Sequence, residues 1–370
     1  MKPRQNSRGF LLSKLDKENG MGQAISELSI KGYKSIRNLE NFELKSINIL
    51  IGPNGGGKSN FLSFFELLRT AGTAFWIDHV KKIGNVDRLF YFGIKETPEI
   101  YIKIIWEDKR FLNLYIKPTG DNFLYIESEG AEGPLDKTYD KMSVHMYLEK
   151  IDPLIGKNLL IFHLNDTSDL ASIRRLQTKR DYEYLRPDGS NLASFLLFLK
   201  KKHEKEYRYI REVIQLAAPF FDDFLLRDSL DNPDETLLEW RQKGSDYPFH
   251  PSQISDGTLR FICLATALLQ PDPPSTILLD EPELGLHPYA LTLLAGLIQK
   301  ASIKTQVIVS TQSAALIDHF QPEDIVIVER QDGESIFRRL KKEELKIWLD
   351  DYSLGELWQM NVVGGRPTRE

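Results

Sequence analysis

The 370-residue chain has almost no cysteine. Cys263 stands alone, so one copy can form no internal disulfide, and a reducing cytosol is the expected compartment. The chain also lacks any apolar run near the roughly 18 residues that a membrane helix needs, so no membrane partner is expected. A surplus of positive charge is missing as well. Lys and Arg total 48 against 53 Asp and Glu, a formal net charge of −5, so any nucleic-acid contact has to come from a local patch. The few histidines offer no metal cluster: His145, His163, His250 and His287 have no ligand spacing with one another or with Cys263.

The chain is long enough for one large domain or two lobes. Met1 to Gln23 is polar and basic (Lys2, Arg4, Arg8, Lys14, Lys17), and its one apolar run, Phe10 to Leu12, is too short for a signal peptide. It reads as a flexible extension, with a partner-binding arm as the alternative. Strands are expected at Ala24–Lys31 and Ser46–Ile51, and a helix at Asn60–Thr70 with Phe61, Phe64, Phe65 and Leu68 at helical spacing. Aromatic and branched segments follow at Leu89–Phe92, Ile100–Trp106, Phe111–Ile116 and Phe123–Ile126, the last two parted by Pro118 to Asp121. They read as an antiparallel meander.

The middle changes character. Leu192–Leu216 carries apolar residues at helical spacing, interrupted by Lys200 to Lys205, and reads as a long helical arm or lid. From Thr258 helices alternate with strands at Thr276–Asp280, Gln306–Ser310 and Ile325–Val328, with Pro288–Lys300 as one of the helices. That alternation belongs to a parallel sheet covered by helices. The expected organisation is therefore a split α/β core, 24–160 and 236–370, with a helical insertion at 161–235.

Gly52-Pro-Asn-Gly-Gly-Gly-Lys58-Ser59 fits the phosphate-loop pattern G-x-x-x-x-G-K-[ST] in full, between a strand and an amphipathic helix. The candidate nucleotide-binding residues are Asn54, Gly55, Gly56, Gly57, Lys58, Ser59 and Asn60. Glycines let backbone N–H groups turn inward around phosphates, where a Cβ would block them. Lys58 is suited to the β- and γ-phosphates, the Ser59 hydroxyl to Mg²⁺, and the helix start to the anion. Downstream, Thr276-Ile-Leu-Leu-Asp280-Glu281 is an apolar strand ending in two carboxylates. Asp280 is the candidate second holder of Mg²⁺, and Glu281 the candidate that polarises the attacking water. Between them in the chain, Ser255-Asp-Gly257-Thr258 opens a helix. It reads either as a second phosphate-binding surface or as an ordinary N-cap.

This order resembles the ABC-type ATPase heads of SMC, RecF and OLD-like proteins, and most of all the standalone bacterial predicted ATPases of the AAA families. The matching stretches are Gly52 to Asn60, Leu185-Arg-Pro-Asp-Gly-Ser-Asn-Leu192, Ser255 to Phe261, Asp280-Glu-Pro-Glu-Leu-Gly-Leu-His-Pro288 and Ser310-Thr-Gln-Ser313. The ending Tyr352 to Trp358, with Gly364-Gly-Arg-Pro367, belongs to the same likeness. The resemblance implies a P-loop NTPase fold, ATP with Mg²⁺, and a homodimer or higher oligomer that sandwiches ATP between subunits. Ser255, Gly257 and Thr258 would then touch the γ-phosphate held by the partner. Glu283 to His287 would cross the interface, and Gln312 would stand where transporter heads carry a switch histidine that senses the γ-phosphate.

Asp256 stands where transporters have a second glycine, and Gln312 cannot carry a proton. Slow, switch-like hydrolysis is expected, and a transporter subunit is the weaker reading. No glutamine loop is recognisable between Asn60 and Trp106, which leaves one Mg²⁺ contact unassigned. OLD-type nucleases carry a Toprim domain where this chain has only about sixty residues after Ser310, too few for a further domain. No nucleic-acid cleavage by the chain itself is expected. Anti-phage defence or DNA maintenance with a separately encoded effector, such as a nuclease, is the implied setting, and a nucleotide-gated scaffold is the alternative. Basic clusters at Lys200–Arg211 and at Arg174, Arg175, Lys179 and Arg180 leave two readings open: DNA contact or a solvated, self-balanced face.

Overall fold

In the computed structural model, residues 24–71, 76–119, 123–131, 158–164, 166–229 and 231–365 are described. The N-terminal extension and His145 lie outside them.

Two sheets carry the fold. The first is antiparallel, in the order β2-β1-β4-β5-β6. It comprises β1 (Ile25–Tyr33), β2 (Ile36–Glu43), β4 (Ile100–Trp106), β5 (Phe111–Pro118) and β6 (Leu124–Ala131). β4 to β6 are the expected meander. The second sheet runs β15-β14-β3-β13-β12-β7. Its members are β3 (Ile47–Ile51), β7 (Leu159–Phe162), β12 (Thr276–Asp280), β13 (Gln306–Thr311), β14 (Ile325–Gln331) and β15 (Glu334–Arg339). All its pairings are parallel except β14 with β15. β3, from the start of the chain, lies between β13 and β14 from its end.

The parallel strands are mainly apolar because both faces are covered. Side chains alternate between faces with a period of two. Ile49 and Ile51, Ile277 and Leu279, Val307 and Val309, Ile325 and Ile327 enter one buried cluster. Leu50, Leu278, Ile308, Val326 and Val328 enter the other. That second cluster lies between the sheets and is filled by α1 (Lys58–Ala71) through Phe61, Leu62, Phe64, Phe65, Leu67 and Leu68. The first is closed by α3 (Leu192–Lys202), α4 (Glu204–Ala217), α5 (Asp256–Leu269), α6 (Pro288–Ala301), the short α7 (Ala314–Ile317) and α9 (Leu354–Gln359). The remaining helices are α2 (Trp76–Ile83) and α8 (Lys342–Leu345). Small strands β8 (Gln177–Thr178) with β10 (Glu235–Thr236), and β9 (Phe221–Leu225) with β11 (Glu239–Gln242), complete the described elements.

Two local expectations change. Leu89–Phe92 is not a strand. A 3₁₀ turn covers Val86–Leu89, and Phe90 makes a single bridge to Tyr33. Local hydrogen bonds win there: Asn85 caps the turn and the Ile94 N–H donates to Asp87 Oδ1 at 2.8 Å. The segment read as one long arm is two helices broken at His203. Their apolar faces are Phe195, Leu196 and Leu199 on α3, and Ile210, Val213 and Ile214 on α4. They are buried in the helical cluster, so both helices lie against the sheet's helical layer.

About half of the cations in the basic segments are paired with nearby carboxylates. Asp223 takes Lys200 and Arg211 at 3.3 and 3.8 Å and accepts from Tyr207 at 2.6 Å. Lys179 pairs with Asp228 at 2.6 Å and Arg180 with Asp234 at 3.8 Å. Arg174 is buried altogether. These contacts favour the balanced face over a nucleic-acid surface.

Candidate nucleotide site

The C-terminal ends of β3, β13 and β12 lie side by side. Ile51 is opposite Thr311, and Ser310 is opposite Asp280. The phosphate loop leaves the first of these strands and Asp280–Glu281 the last, so two neighbouring strand spacings, about 10 Å, separate their backbones. Parallel pairing makes this meeting unavoidable, because every strand ends at the same edge.

The loop's glycines fit a crowded seat. A Cβ on Gly52 would lie 1.8 Å from the Val328 carbonyl of β14, and one on Gly57 would lie 2.0 Å from Ser335 Oγ. Gly57 also needs φ +116°, and Gly55 takes φ +80° in open space. Lys58 is buried and donates to the carbonyls of Gly52 at 2.7 Å and Pro53 at 3.0 Å. Burial pulls its pKa down, while Glu281, Asp280 and Glu283 push it back up. Asn54 and Ser59 are exposed, as is Gly55, whereas Gly56 is buried against the Val328 carbonyl. Asn60 donates from its amide to Ser35 Oγ at 2.7 Å, and Ser335 Oγ donates to the same Ser35 hydroxyl at 2.7 Å. Asn60 therefore ties α1 to the β1–β2 turn. A cavity of about 320 Å³ opens beside it, lined by Lys34, Arg88, Tyr91, Phe92 and Arg330 among others.

On the acidic side, Glu281 takes φ +42°, a left-handed conformation unusual outside glycine. Its N–H still bonds the Ser310 carbonyl at 2.8 Å, so the chain turns sharply at the end of β12. Gln312 donates from Nε2 to Glu281 Oε1 at 2.6 Å. Glu283 Oε1 accepts from Thr311 Oγ1 at 2.5 Å and from the Gln312 N–H at 3.0 Å. Burial raises the Glu283 pKa above the usual carboxylate range.

Asp280 Oδ1, Glu283 Oε2 and Ser310 Oγ are buried without a hydrogen-bond partner. Carboxyl groups of Asp280, Glu281 and Glu283 thus stand at the sheet edge from which the phosphate loop leaves, with an orphaned Asp280 oxygen among them. Such a surplus of hard oxygen donors fits Mg²⁺. Among the described residues no group of three or more His, Cys, Asp and Glu could hold a metal unaided. That suits an ion that takes one or two protein oxygens and leaves the rest to water and phosphate.

Ser255, Gly257 and Thr258 stand elsewhere. Ser255 caps α5, its Oγ accepting from the Thr258 N–H at 3.2 Å and donating to Thr258 Oγ1 at 2.9 Å. A Cβ on Gly257 would meet the Gly285 carbonyl at 2.1 Å, so this loop packs on the loop after β12. Among the described residues, no hydrogen bond or ion pair given by the structure joins residues 255–258 to the phosphate loop.

Arg174, Arg260 and His163 support the site in ways that sequence reasoning did not foresee, and so does Glu283, expected only on the loop crossing the interface. Asp256 is held by Arg174 Nη2 at 2.7 Å, and Arg174 also donates to the carbonyls of Thr167 (2.9 Å), Ile254 (3.0 Å) and Pro251. Arg260 of α5 donates twice to the Leu164 carbonyl, at 3.0 and 2.8 Å, and once to that of Leu284. His163 lies beside Asp280, and Glu283 is drawn into the acidic cluster. Arg174 sat in a run of basic residues and His163 in an apolar strand end, so no local pattern pointed to either.

Comparison with known proteins agrees with this geometry. The family model AAA_21, described as "AAA domain, putative AbiEii toxin, Type IV TA system", matches residues 121–318, more than half of the chain. No curated protein matches. Two solved structures are similar over nearly the whole chain. One is an Smc head bound to the C-terminal winged-helix domain of ScpA (TM-score 0.61, 18% identity, 86% of this chain and 99% of that one). The other is an Smc head domain with an extended coiled coil, bound to the C-terminal domain of ScpA derived from Pyrococcus furiosus (TM-score 0.57, 18% identity, 89% and 99%). No described helix is long and apolar enough to cross a membrane. The chain belongs to the AAA_21 family of AAA domains and folds as an ABC/SMC-like P-loop ATPase head.

Proposed function

We propose that the chain binds ATP with Mg²⁺ at the ends of β3, β13 and β12, and hydrolyses it slowly as a switch. The observation that carries this reading is the convergence of Lys58 with Asp280, Glu281 and Glu283 at one sheet edge. Lys58 and the loop N–H groups from Asn54 to Ser59 bind the phosphates, and the cavity beside Asn60 takes the nucleoside. Ser59 and Asp280 would hold Mg²⁺, which would supply charge neutralisation to the phosphates. Glu281 orients water and takes its proton. Gln312 fixes Oε1 and leaves the second carboxylate oxygen for that task.

A second copy completes the site. Ser255 is exposed and Gly257 and Thr258 are partly so, with no hydrogen bond to their own phosphate loop, which supports a γ-phosphate contact made across a dimer. In both similar structures an Smc head is bound to a separate protein, which supports a separately encoded effector here. Defence or DNA maintenance, inside the cytosol, is the setting we assign to that complex.

Lys58→Ala is expected to abolish nucleotide binding. Glu281→Gln is expected to keep it, to accumulate an ATP-bound dimer, and to lower turnover by about 10²–10⁴-fold. Equilibrium dialysis with labelled ATP, phosphate release and light scattering measure the three. Wild-type hydrolysis in Lys58→Ala would sink the proposal. A Glu281→Gln variant that still performs the cellular function would favour the scaffold reading instead.

A further inference from the structure

The sequence left one contact to the cation unassigned, and the fold brings a further residue to the site from an unexpected strand end, behind the candidate ligand Asp280. β7 lies at the sheet edge, parallel to β12, with Phe162 opposite Leu279. The next residues, His163 and Asp280, therefore leave their strands side by side. His163 Nδ1 is 3.4 Å from Asp280 Oδ2. The other oxygen, Oδ1, is buried and has no hydrogen-bond partner. One edge of the carboxylate is thus occupied by the imidazole and the other is presented bare.

His163 is itself held from both sides. β7 fixes the backbone before it, and the Arg260 fork grips the Leu164 carbonyl immediately after it. A ring carried on so fixed a backbone stays close to the carboxylate beside it and limits its torsion, as residues behind a metal ligand commonly do.

We infer that His163 is a positioning residue that orients Asp280, through Nδ1 and Oδ2, so that Oδ1 faces the cation. The inference rests on the proposed Mg²⁺–ATP reading. It gives the histidine just after β7 the task of fixing a cation ligand, and leaves the glutamine-loop contact unassigned.

The test reads cation binding and does not depend on turnover. A fluorescent ATP analogue that resists hydrolysis is titrated onto the full chain, first in EDTA and then with increasing Mg²⁺. His163→Ala should bind the analogue in EDTA as the wild type does, because Lys58 and the phosphate loop are intact. Its Mg²⁺ half-saturation should rise roughly 10-fold or more. His163→Asn keeps a donor near the Nδ1 position and should recover most of that loss. Melting of each variant without nucleotide checks that the fold is retained, as expected for a side chain roughly one-third exposed.

An unchanged Mg²⁺ half-saturation in His163→Ala overturns the inference, and so does an Asn variant no better than Ala. These failures differ from failure of the underlying reading, in which the wild type itself shows no Mg²⁺-dependent binding of the analogue.

Discussion

Replacing Arg174 by Met tests whether the second phosphate surface is built from behind. The guanidinium is 3% exposed and donates to the carbonyls of Thr167, Pro251 and Ile254 and to the Asp256 carboxylate. Methionine keeps the apolar stem and removes every donor. Each buried carbonyl left unpaired costs about 1–3 kcal/mol, partly recovered by relaxation and water, so a net loss of roughly 3–5 kcal/mol is expected. If the chain melts as one unit, an unfolding entropy of about 2.1 cal/mol/K per residue turns 4 kcal/mol into a fall in Tm of roughly 5 °C. Asp256→Asn is the control. That carboxylate is 65% exposed, so its pair with Arg174 contributes only about 0–1 kcal/mol, near 1 °C. Because Arg174 fixes the main chain on both sides of the turn entering α5, its loss should misplace Ser255 and Gly257. Turnover should fall by at least about 10-fold while nucleotide binding by the chain's own loop persists. Calorimetry, phosphate release and nucleotide titration measure the three. An Arg174→Met protein that melts within a degree of wild type refutes the clamp. An Asp256→Asn protein as damaged as Arg174→Met places the function in the carboxylate instead.

Gly257→Ala should lower turnover more than Gly55→Ala lowers nucleotide affinity. The first Cβ meets backbone at 2.1 Å, whereas the second meets nothing and costs only about 1–2 kcal/mol of left-handed strain; steady-state kinetics and nucleotide titration rank them. Glu283→Gln should raise Tm at pH 7–8, because the amide keeps the Oε1 acceptor and removes a buried charge. The folded pKa of Glu283 is raised, so the wild type loses stability as pH climbs from the unfolded carboxylate's range through the folded pKa. The gap to the Gln variant should therefore widen with pH and close in acid, which melting curves at several pH values would show.

The parts of the site readable from sequence are those whose partners lie within a few residues. Gly52 to Ser59 and Asp280–Glu281 declare themselves because loop curvature and strand-end acidity are written contiguously. The core strands were readable for a related reason: a strand apolar on both faces, such as Ile277 to Leu279, has only a doubly covered sheet to enter. Long-range pairing was silent. β7 is four residues of apolar chain, and nothing local to His163 says that β12 will lie beside it. Burial was equally silent for Arg174: a charge pattern counts cations and cannot tell a solvated one from one enclosed by carbonyls. Leu89–Phe92 failed differently. Its composition suits a strand, but the Asn85 cap and the Asp87 side chain offered the backbone nearer partners.

Those silent residues share a consequence for how the proposed site works. Ser255 and Arg260 stand at the start of one helix, five residues and about 7.5 Å apart along its axis. Ser255 faces the surface assigned to a second copy. Arg260 grips Leu164, next to His163, and Leu284, two residues beyond Pro282 on the loop that follows Glu281. A helix start is stiff compared with the loops it touches, so displacement of Ser255 cannot leave both carbonyl contacts undisturbed. The Arg260 guanidinium is partly buried, which lowers its pKa, and its two bonds to the Leu164 carbonyl are the more shielded of its contacts. On the proposed reading, the chain that donates Ser255 to a neighbour's nucleotide therefore adjusts His163, Asp280 and Glu281 around its own. Coupled, paired turnover follows from the placement of α5 more directly than from the phosphate loop, which makes no such bond to residues 255–258.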